Sequence, residues 1–338
     1  MNGLLERLAA GPVICAEGYL FELERRGYVQ AGPFVPEVVL EHPDEVLALH
    51  RAFVRAGSDV VEAFTYYAHR EKLRAIGREE SLEELNRRAL ELAATVARET
   101  GTLLAGNICN TNIFDPAEPA TRAAVREIFV EQIGWAVEAG ADFIVAETIP
   151  WLEEAEIALD AIRAAGLPSV VTLAAFREPQ TLDAVPIAEA CARLADRGAD
   201  VVGLNCIRGP GTMLPLLSEI VARTDAYVAA LPVPYRTTAN EPGFTALTDA
   251  AGQRAFPTAL DPFLCNRSEI ADFARAAVEL GVRYLGLCCG AGPHTIRALA
   301  EAIGRTPEAS RYSPDMSMHA ILGERGATRS PRIADRLD

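Results

Sequence analysis

Residues 139–147, Ala139-Gly140-Ala141-Asp142-Phe143-Ile144-Val145-Ala146-Glu147, contain the junction on which the fold turns. An amphipathic helical run stops at the glycine, which adopts the left-handed conformation without a Cβ clash. A small residue and an aspartate follow, and then a β-branched run that is apolar on both faces. Such a run reads as a strand in a parallel sheet covered by helices. The same junction recurs at Ala56-Gly57-Ser58-Asp59 and Arg197-Gly198-Ala199-Asp200, with looser copies at Gly166 and Gly281.

Extending outward from these junctions predicts strands at Val13-Gly18, Val60-Thr65, Leu103-Cys109, Phe143-Ile149, Ser169-Phe176, Val201-Cys206, Tyr227-Val233 and Tyr284-Cys289. Helices are expected at Asp44-Ala56, Leu82-Glu99, Arg122-Ala139, Leu152-Ala165, Ala184-Asp196, Thr212-Ala222, Ser268-Leu280 and Thr295-Ile303. Ser81 with Glu84 reads as a capping box, and Pro43, Pro150 and Pro293 stand near first turns. Eight strand-helix units make the chain α/β, a (β/α)8 TIM barrel of parallel strands, a fold that typically takes about 250 residues before insertions. The competing doubly wound sheet lacks support, since no G-x-G-x-x-G follows the first strand. One barrel domain is expected over residues 1–306, with 307–338 a short C-terminal tail, extended or disordered. Two long connections, Gly27 to Glu41 and Pro234 to Asn266, follow the first and seventh strands. In a barrel both fall on the C-terminal face, where active sites are built.

The 338 residues carry a formal charge of -15, which argues against sequence-independent binding to nucleic acid or anionic membrane, both of which need clustered cations. Lys72 is the only lysine, no G-x-x-x-x-G-K-[ST] occurs and no G-x-S-x-G occurs, so phosphate-loop and hydrolase-elbow chemistries have no support. No stretch of about 18 apolar residues is present and Met1 to Gly11 has no cleavage signature, so a cytoplasmic chain is expected. Seven cysteines without framework spacing fit a reducing compartment.

Three of the cysteines end strands. Cys288 and Cys289 close the run Gly286-Leu287-Cys288-Cys289-Gly290, and Cys206 closes Gly203-Leu204-Asn205-Cys206. A vicinal pair is poorly placed for an ordinary disulfide. Three soft ligands with one position left open describe a catalytic Zn2+ site, the alternative being three small buried hydrophobes. Cys109 is farther round the barrel, as a pocket-lining thiol or a fourth ligand, and Cys15, Cys191 and Cys265 read as packing. Strand ends also converge Glu17, Gly18, Thr65, Tyr66, Tyr67, Asn107, Glu147 and Asn205. Glu147, at the end of an apolar run, either pairs with a structural partner or binds a cationic substrate group. Tyr66, Tyr67 and Phe34 could present ring faces to an onium cation, or could simply pack.

With these residues in place the chain resembles the zinc-dependent homocysteine S-methyltransferases, and within them the betaine-homocysteine methyltransferase branch. The resemblance runs from about Val13 to Ile303 and rests on Gly-Leu-Asn-Cys ending at Cys206, on Gly286 to Gly290, on Glu24-Arg25-Arg26-Gly27-Tyr28-Val29 with Ala31-Gly32-Pro33, and on Glu41-His42-Pro43 with Leu49-His50-Arg51 and Arg55-Ala56-Gly57-Ser58. It implies the barrel, zinc on Cys206, Cys288 and Cys289, and homocysteine as methyl acceptor. Glu147 matches the glutamate that meets the substrate amino group, and Tyr67 an aromatic residue near the betaine site. Where the branch has Asp-Gly-Gly, this chain reads Ala16-Glu17-Gly18, so the first-strand carboxylate passes to Glu17. Ala63 stands for a threonine, Phe34 for a tryptophan and Thr148 for a tyrosine, which alters the donor cage.

The expected substrate residues are thus Glu17, Gly18, Glu147, Asn205, Tyr67 and Phe34, with no catalytic residue beyond the zinc site. The expected partners are homocysteine and a small onium methyl donor, betaine or similar, with methionine as product. A sulfonium donor is the alternative, or a non-catalytic zinc or redox-sensing barrel. The tail is shorter than the family's oligomerisation arm, so any homo-oligomer is expected to be a dimer rather than a tetramer.

Overall fold

A computed structural model of the chain describes residues 3–319 and Gly323. Eight parallel strands close into a barrel in sequence order: β1 Val13–Ala16, β2 Val60–Glu62, β3 Leu103–Cys109, β4 Phe143–Ile149, β5 Ser169–Leu173, β6 Val201–Asn205, β7 Tyr227–Leu231 and β8 Tyr284–Leu287. β8 pairs with β1 from Val13↔Tyr284 to Ala16↔Leu287, which removes both sheet edges. Helices Pro43–Ala56, Leu82–Thr100, Ala120–Glu138, Leu152–Ala164, Ile187–Asp196, Pro210–Val221, Arg267–Leu280 and Pro293–Ala302 cover the outside. The expected (β/α)8 architecture is therefore the one observed. The expectation that the tail is extended or disordered falls, for residues 320–322 and 324–338, outside the described residues.

The repeated junction works at both of its special positions. Gly57, Gly140 and Gly198 have φ of 117°, 79° and 96°, values that L side chains adopt only under strain. The aspartates fasten neighbouring strands: Asp59 accepts from the N–H of Ile14 at 2.8 Å, Asp142 from that of Leu104 at 2.7 Å, and Asp200 from that of Ser169 at 2.9 Å. Each carboxylate satisfies an N–H near the start of the strand before its own, at the end of the barrel opposite the cysteines.

Several strands are shorter than expected, because the chain turns at the mouth before the apolar run ends. β2 stops at Glu62, after which Thr65 N–H turns back to Ala63 O at 2.8 Å. β6 stops at Asn205 and β8 at Leu287, so Cys206, Cys288 and Cys289 lie just past their strands, while Cys206 N–H still reaches Leu231 O at 2.9 Å. Helix starts move too, to Pro43, Pro210 and Pro293, where proline fills a first-turn position that needs no N–H. The Ser81 capping box does not form, because Glu79–Ser81 is a 3-10 turn that leads straight into the helix. The capping box lies instead at Asn266 and Glu269: Asn266 Oδ1 accepts from Ser268 and Glu269 N–H, and Glu269 Oε2 accepts from Asn266 N–H at 2.7 Å.

Inside the barrel, side chains from alternate positions fill the bore, including Val13, Val60, Leu103, Phe143, Val201 and Tyr284. A helix that sequence reading did not separate, Leu4–Ala10, lays Leu4 and Leu8 against this layer, both at most 1 % exposed. One end of the bore is therefore filled with apolar packing, and only the cysteine end remains to hold a polar site.

Candidate metal centre and substrate cavities

Cys206, Cys288 and Cys289 bring their Sγ atoms within 4.8 Å of one another, although two strands supply them. Cys288 and Cys289 Sγ are 3.9 Å apart, close to the roughly 3.8 Å between thiolates on a tetrahedral centre with bonds of about 2.3 Å. All three cysteines are free thiols. Hydrogen bonds from Cys288 and Cys289 hold the Cys206 thiol well below its ordinary pKa, whereas burial pushes Cys288 up. The donor set fits a thiophilic metal such as zinc, since three convergent soft ligands with an open position match a catalytic site.

Glycines allow the approach. A Cβ on Gly18 would meet Ala291 O at 2.2 Å, and one on Gly290, where φ is 95°, would meet the Tyr235 hydroxyl at 2.3 Å. Arg25 then pins the cysteine turn, donating to Gly290 O at 3.0 Å and to the Tyr235 hydroxyl at 3.1 Å, with Asp261 as its counter-ion.

Beside the thiols lies a chain of five polar side chains, all nearly buried. Asn107 Nδ2 donates to Glu62 Oε1 and, at 2.7 Å, to Glu147 Oε1; Asn205 Nδ2 donates to Glu147 Oε2 at 2.8 Å and to Glu17 Oε2 at 3.2 Å. Two amides thus space three carboxylates. Burial raises the pKa of Glu17 and Glu147, with Glu62 adding a repulsive contribution to each, and burial lifts Glu62 to about 7. Glu17 Oε1 and Asn107 Oδ1 are buried acceptors with no partner, a costly state unless a ligand donates to them. Glu17, Glu62, Asn107, Glu147, Cys288 and Cys289 all line one inner cavity of about 20 Å³. That is room for about one water-sized group, and an ammonium is of that size.

A second, outer cavity of about 400 Å³ opens beyond it and shares Cys289, Tyr66, Thr148 and Leu20 with the inner one. Cys206 also lines it, along with rings from the connections after β1, β2, β3, β4 and β7: Phe34, Tyr67, Phe114, Trp151, Phe244 and Phe256. Phe34, Tyr67, Asn112, Thr148, Cys206 and Ile207 have φ between 53° and 61° and all line this cavity. Left-handed backbone at non-glycine residues costs on the order of 1 kcal/mol each and persists where surrounding structure enforces it, commonly at functional sites.

Residues 15–303 match the family model of homocysteine S-methyltransferase. The chain belongs to that family. It is 37 % identical over 333 residues to betaine-homocysteine S-methyltransferase 1 of Mus musculus, covering 95 % of this chain and 79 % of that one. It is 36 % identical over 329 residues to the S-methylmethionine-homocysteine S-methyltransferase of Mus musculus, covering 95 % and 86 %. Among solved structures, the metallated form of the homocysteine methyltransferase MmuM from Escherichia coli superposes with a TM-score of 0.67 at 20 % identity, over 86 % of this chain and 96 % of that one. At that identity the likeness speaks for the fold alone.

In this homocysteine S-methyltransferase the structure gathers most of the residues singled out from sequence. Glu17, Glu147 and Asn205 join the inner network, while Phe34 and Tyr67 line the outer cavity. Phe34 stacks on Phe21 at 5.6 Å. Gly18 lines neither cavity and serves the close packing on Ala291. Cys109 stands apart from the three thiols and accepts from Tyr67 N–H at 3.3 Å. Cys191 and Cys265 are buried, and Cys15, expected only to pack, is buried with its thiol donating to Glu62 Oε2 at 3.5 Å, which joins it to the inner network. Sequence reading missed Glu62, although a carboxylate inside Val60-Val61-Glu62-Ala63-Phe64 is a visible anomaly. It also missed Phe114, Trp151, Glu154, Phe244 and Phe256, which come from the segments that follow β3, β4 and β7 and carry no common local pattern.

Proposed function

We propose that this chain moves a methyl group from a small onium donor to the thiol of homocysteine, giving methionine, with zinc on Cys206, Cys288 and Cys289. The observation that carries the reading is the placement of these thiols where a cavity of buried carboxylates meets a cavity of aromatic rings. Zinc held there supplies a Lewis acid with one open position, which lowers the thiol pKa of the acceptor.

The remaining work falls to the chain's own side chains. Glu17, Glu62 and Glu147 receive the acceptor's ammonium, whose N–H groups donate hydrogen bonds to the orphaned Glu17 Oε1 and Asn107 Oδ1. Asn107 and Asn205 hold the carboxylates apart, so that one site serves a single cation. This anchoring fixes the acceptor sulfur at the junction of the two cavities. The rings of Tyr66, Tyr67 and Phe34 hold the onium head. The acceptor sulfur forms a bond to the methyl carbon as the methyl's bond to the onium nitrogen or sulfur breaks. That electron pair leaves with a neutral amine or sulfide, and the thiol proton is lost to solvent before attack. The donor's charge vanishes in this step, so the rings aid binding more than they lower the chemical barrier. Betaine and sulfonium donors both fit this chemistry. Because reduced thiols are required, a reducing compartment, the cytoplasm, is the proposed location.

The test is substitution of the thiols. Cys206→Ala, Cys288→Ala and Cys289→Ala are each expected to abolish zinc retention and methionine formation together while circular dichroism stays that of a folded barrel. Full activity in a folded, zinc-free variant would refute the proposal.

A further inference from the structure

Arg25 ends the short helix Tyr19–Arg25 and Arg26 caps it, yet the two arginines face different ways. Arg26 folds back on its own helix and pairs with Glu22 at 2.6 Å, the ordinary use of a basic residue at a helix C-terminus. Arg25 instead crosses the barrel mouth. Its Nη1 donates to Gly290 O at 3.0 Å, and its Nη2 donates to the Tyr235 hydroxyl and to Asp261 Oδ1, both at 3.1 Å. One planar guanidinium therefore joins the connection after β1, the connection after β7 and the turn after β8, a task that suits its rigid fork of donors better than a lysine ammonium.

The three thiols are not equally fastened. Cys206 N–H bonds Leu231 O at 2.9 Å and Cys288 N–H bonds Pro232 O at 3.0 Å, so the end of β7 holds both. Cys289 lies one residue farther out and is more exposed than either. Its turn closes on itself through Ala291 N–H and Cys288 O at 3.0 Å, and Gly290, which bends it, has φ of 95°. Gly290 also lies against Tyr235, where a Cβ would come within 2.3 Å of the hydroxyl. Tyr235 is fully buried, and its ring stacks parallel on Phe244 with centroids 5.7 Å apart. Arg25 thus binds the turn to a side chain that packing holds in place.

We propose that Arg25 is a positioning residue for the metal centre: by holding Gly290 O and the Tyr235 hydroxyl together, it keeps Cys289 in the geometry that completes the three-thiolate site. This role rests on the reading of Cys206, Cys288 and Cys289 as zinc ligands. Groups behind a ligand commonly set metal affinity by about 10- to 100-fold. Arg25 lines neither cavity, so its substitution reads on the metal rather than on either substrate.

Zinc Kd values are measured by competition with a chromophoric chelator, on the parent and on variants whose circular dichroism is that of a folded barrel. Arg25→Ala is expected to raise the zinc Kd by about 10- to 100-fold. The Arg25 side chain is 29 % exposed, so its place is open to solvent. Guanidinium chloride at tens of millimolar, far below denaturing strength, should therefore recover part of the loss, where sodium chloride at the same ionic strength does not. Tyr235→Phe keeps the ring on Phe244 and leaves the Gly290 bond, so its zinc Kd should stay within about fivefold of the parent's. Arg25→Lys, which fills the place with a point charge, should bind zinc more weakly than the parent and should not respond to guanidinium. A zinc Kd equal to the parent's in Arg25→Ala, or in Arg25→Lys should the alanine variant not fold, would overturn the proposal. So would a loss in Tyr235→Phe as large as that in Arg25→Ala, or a loss in Arg25→Ala that guanidinium does not touch. Parent protein that takes up no zinc would refute the metal-site reading itself, and the proposal with it.

Discussion

Glu147 stands in the middle of the polar chain, with one oxygen on Asn107 and the other on Asn205. Removing it leaves two amides underused and, on the proposed reading, takes away a charged partner of the acceptor's ammonium. Glu147→Ala should raise the homocysteine KM by one to two orders of magnitude, the equivalent of losing a charged hydrogen bond of about 1.5–3 kcal/mol. An unchanged KM would make the residue structural. His50 governs a different property. It is fully buried, bonds only the Tyr19 hydroxyl, and burial lowers its pKa to about 3. The fold keeps it neutral while the unfolded chain protonates it near 6.5, so its contribution to stability is present above pH 6.5 and is lost as pH falls toward 3. Between pH 7.5 and 5.5 the parent protein should lose about 1 kcal/mol more in urea denaturation than His50→Gln does, at the slope of about 1.4 kcal/mol per pH unit for one proton. Parallel losses in the two proteins would mean that the imidazole is charged in the fold.

At the level of elements, two glycines with different surroundings give opposite predictions. Gly134 lies within helix Ala120–Glu138, and a Cβ there meets nothing within 4 Å. Gly134→Ala should stabilise the chain by about 0.5–1 kcal/mol, because alanine loses less backbone entropy in a helix. Gly290→Ala would force a methyl group onto Tyr235, which Arg25 holds in place, at a positive φ as well. It should weaken zinc retention with the secondary structure intact; metal content of both variants, beside their melting curves, checks the pair. The same contrast explains what sequence could disclose. The Gly-x-Asp junctions and the run at Cys288-Cys289 are local in the chain, so the strands and the thiols that end them could be read from spacing alone. Glu17 and Glu147 were visible as charges at the ends of apolar runs. Glu62 was not singled out, because β2 ends three residues before its apolar run does and the carboxylate was counted as mid-strand. The aromatic wall was hidden for a deeper reason: Phe114, Trp151, Phe244 and Phe256 meet only after the barrel closes.

For the molecule as a whole, closure of the barrel creates the site, since β6 and β8 each bring thiols that neither strand could assemble alone. Its two ends divide the labour, with apolar packing around Leu4 and Leu8 at one and polar cavities at the other. The aspartate clips add a finer grain. They stand before β2, β4 and β6 and hold β1, β3 and β5, so three successive strand pairs carry a tie that the junctions between pairs lack. β7 and β8 have no such clip, since Arg283 occupies the corresponding place. The barrel should then open in strand doublets when its native state fluctuates, since cooperative units follow the contacts that bind them. Amide hydrogen exchange is expected to show shared protection within β1–β2, β3–β4 and β5–β6, with β7 and β8 exchanging earlier. Asp200→Asn should bring β5 and β6 down toward that level and leave β3 and β4 as they were; uniform loss of protection around the ring would rule the doublets out. The strands that exchange first would include β8, just past which two of the three thiols lie, so a metal held there should slow the most frequent opening of this barrel, at its least fastened strands.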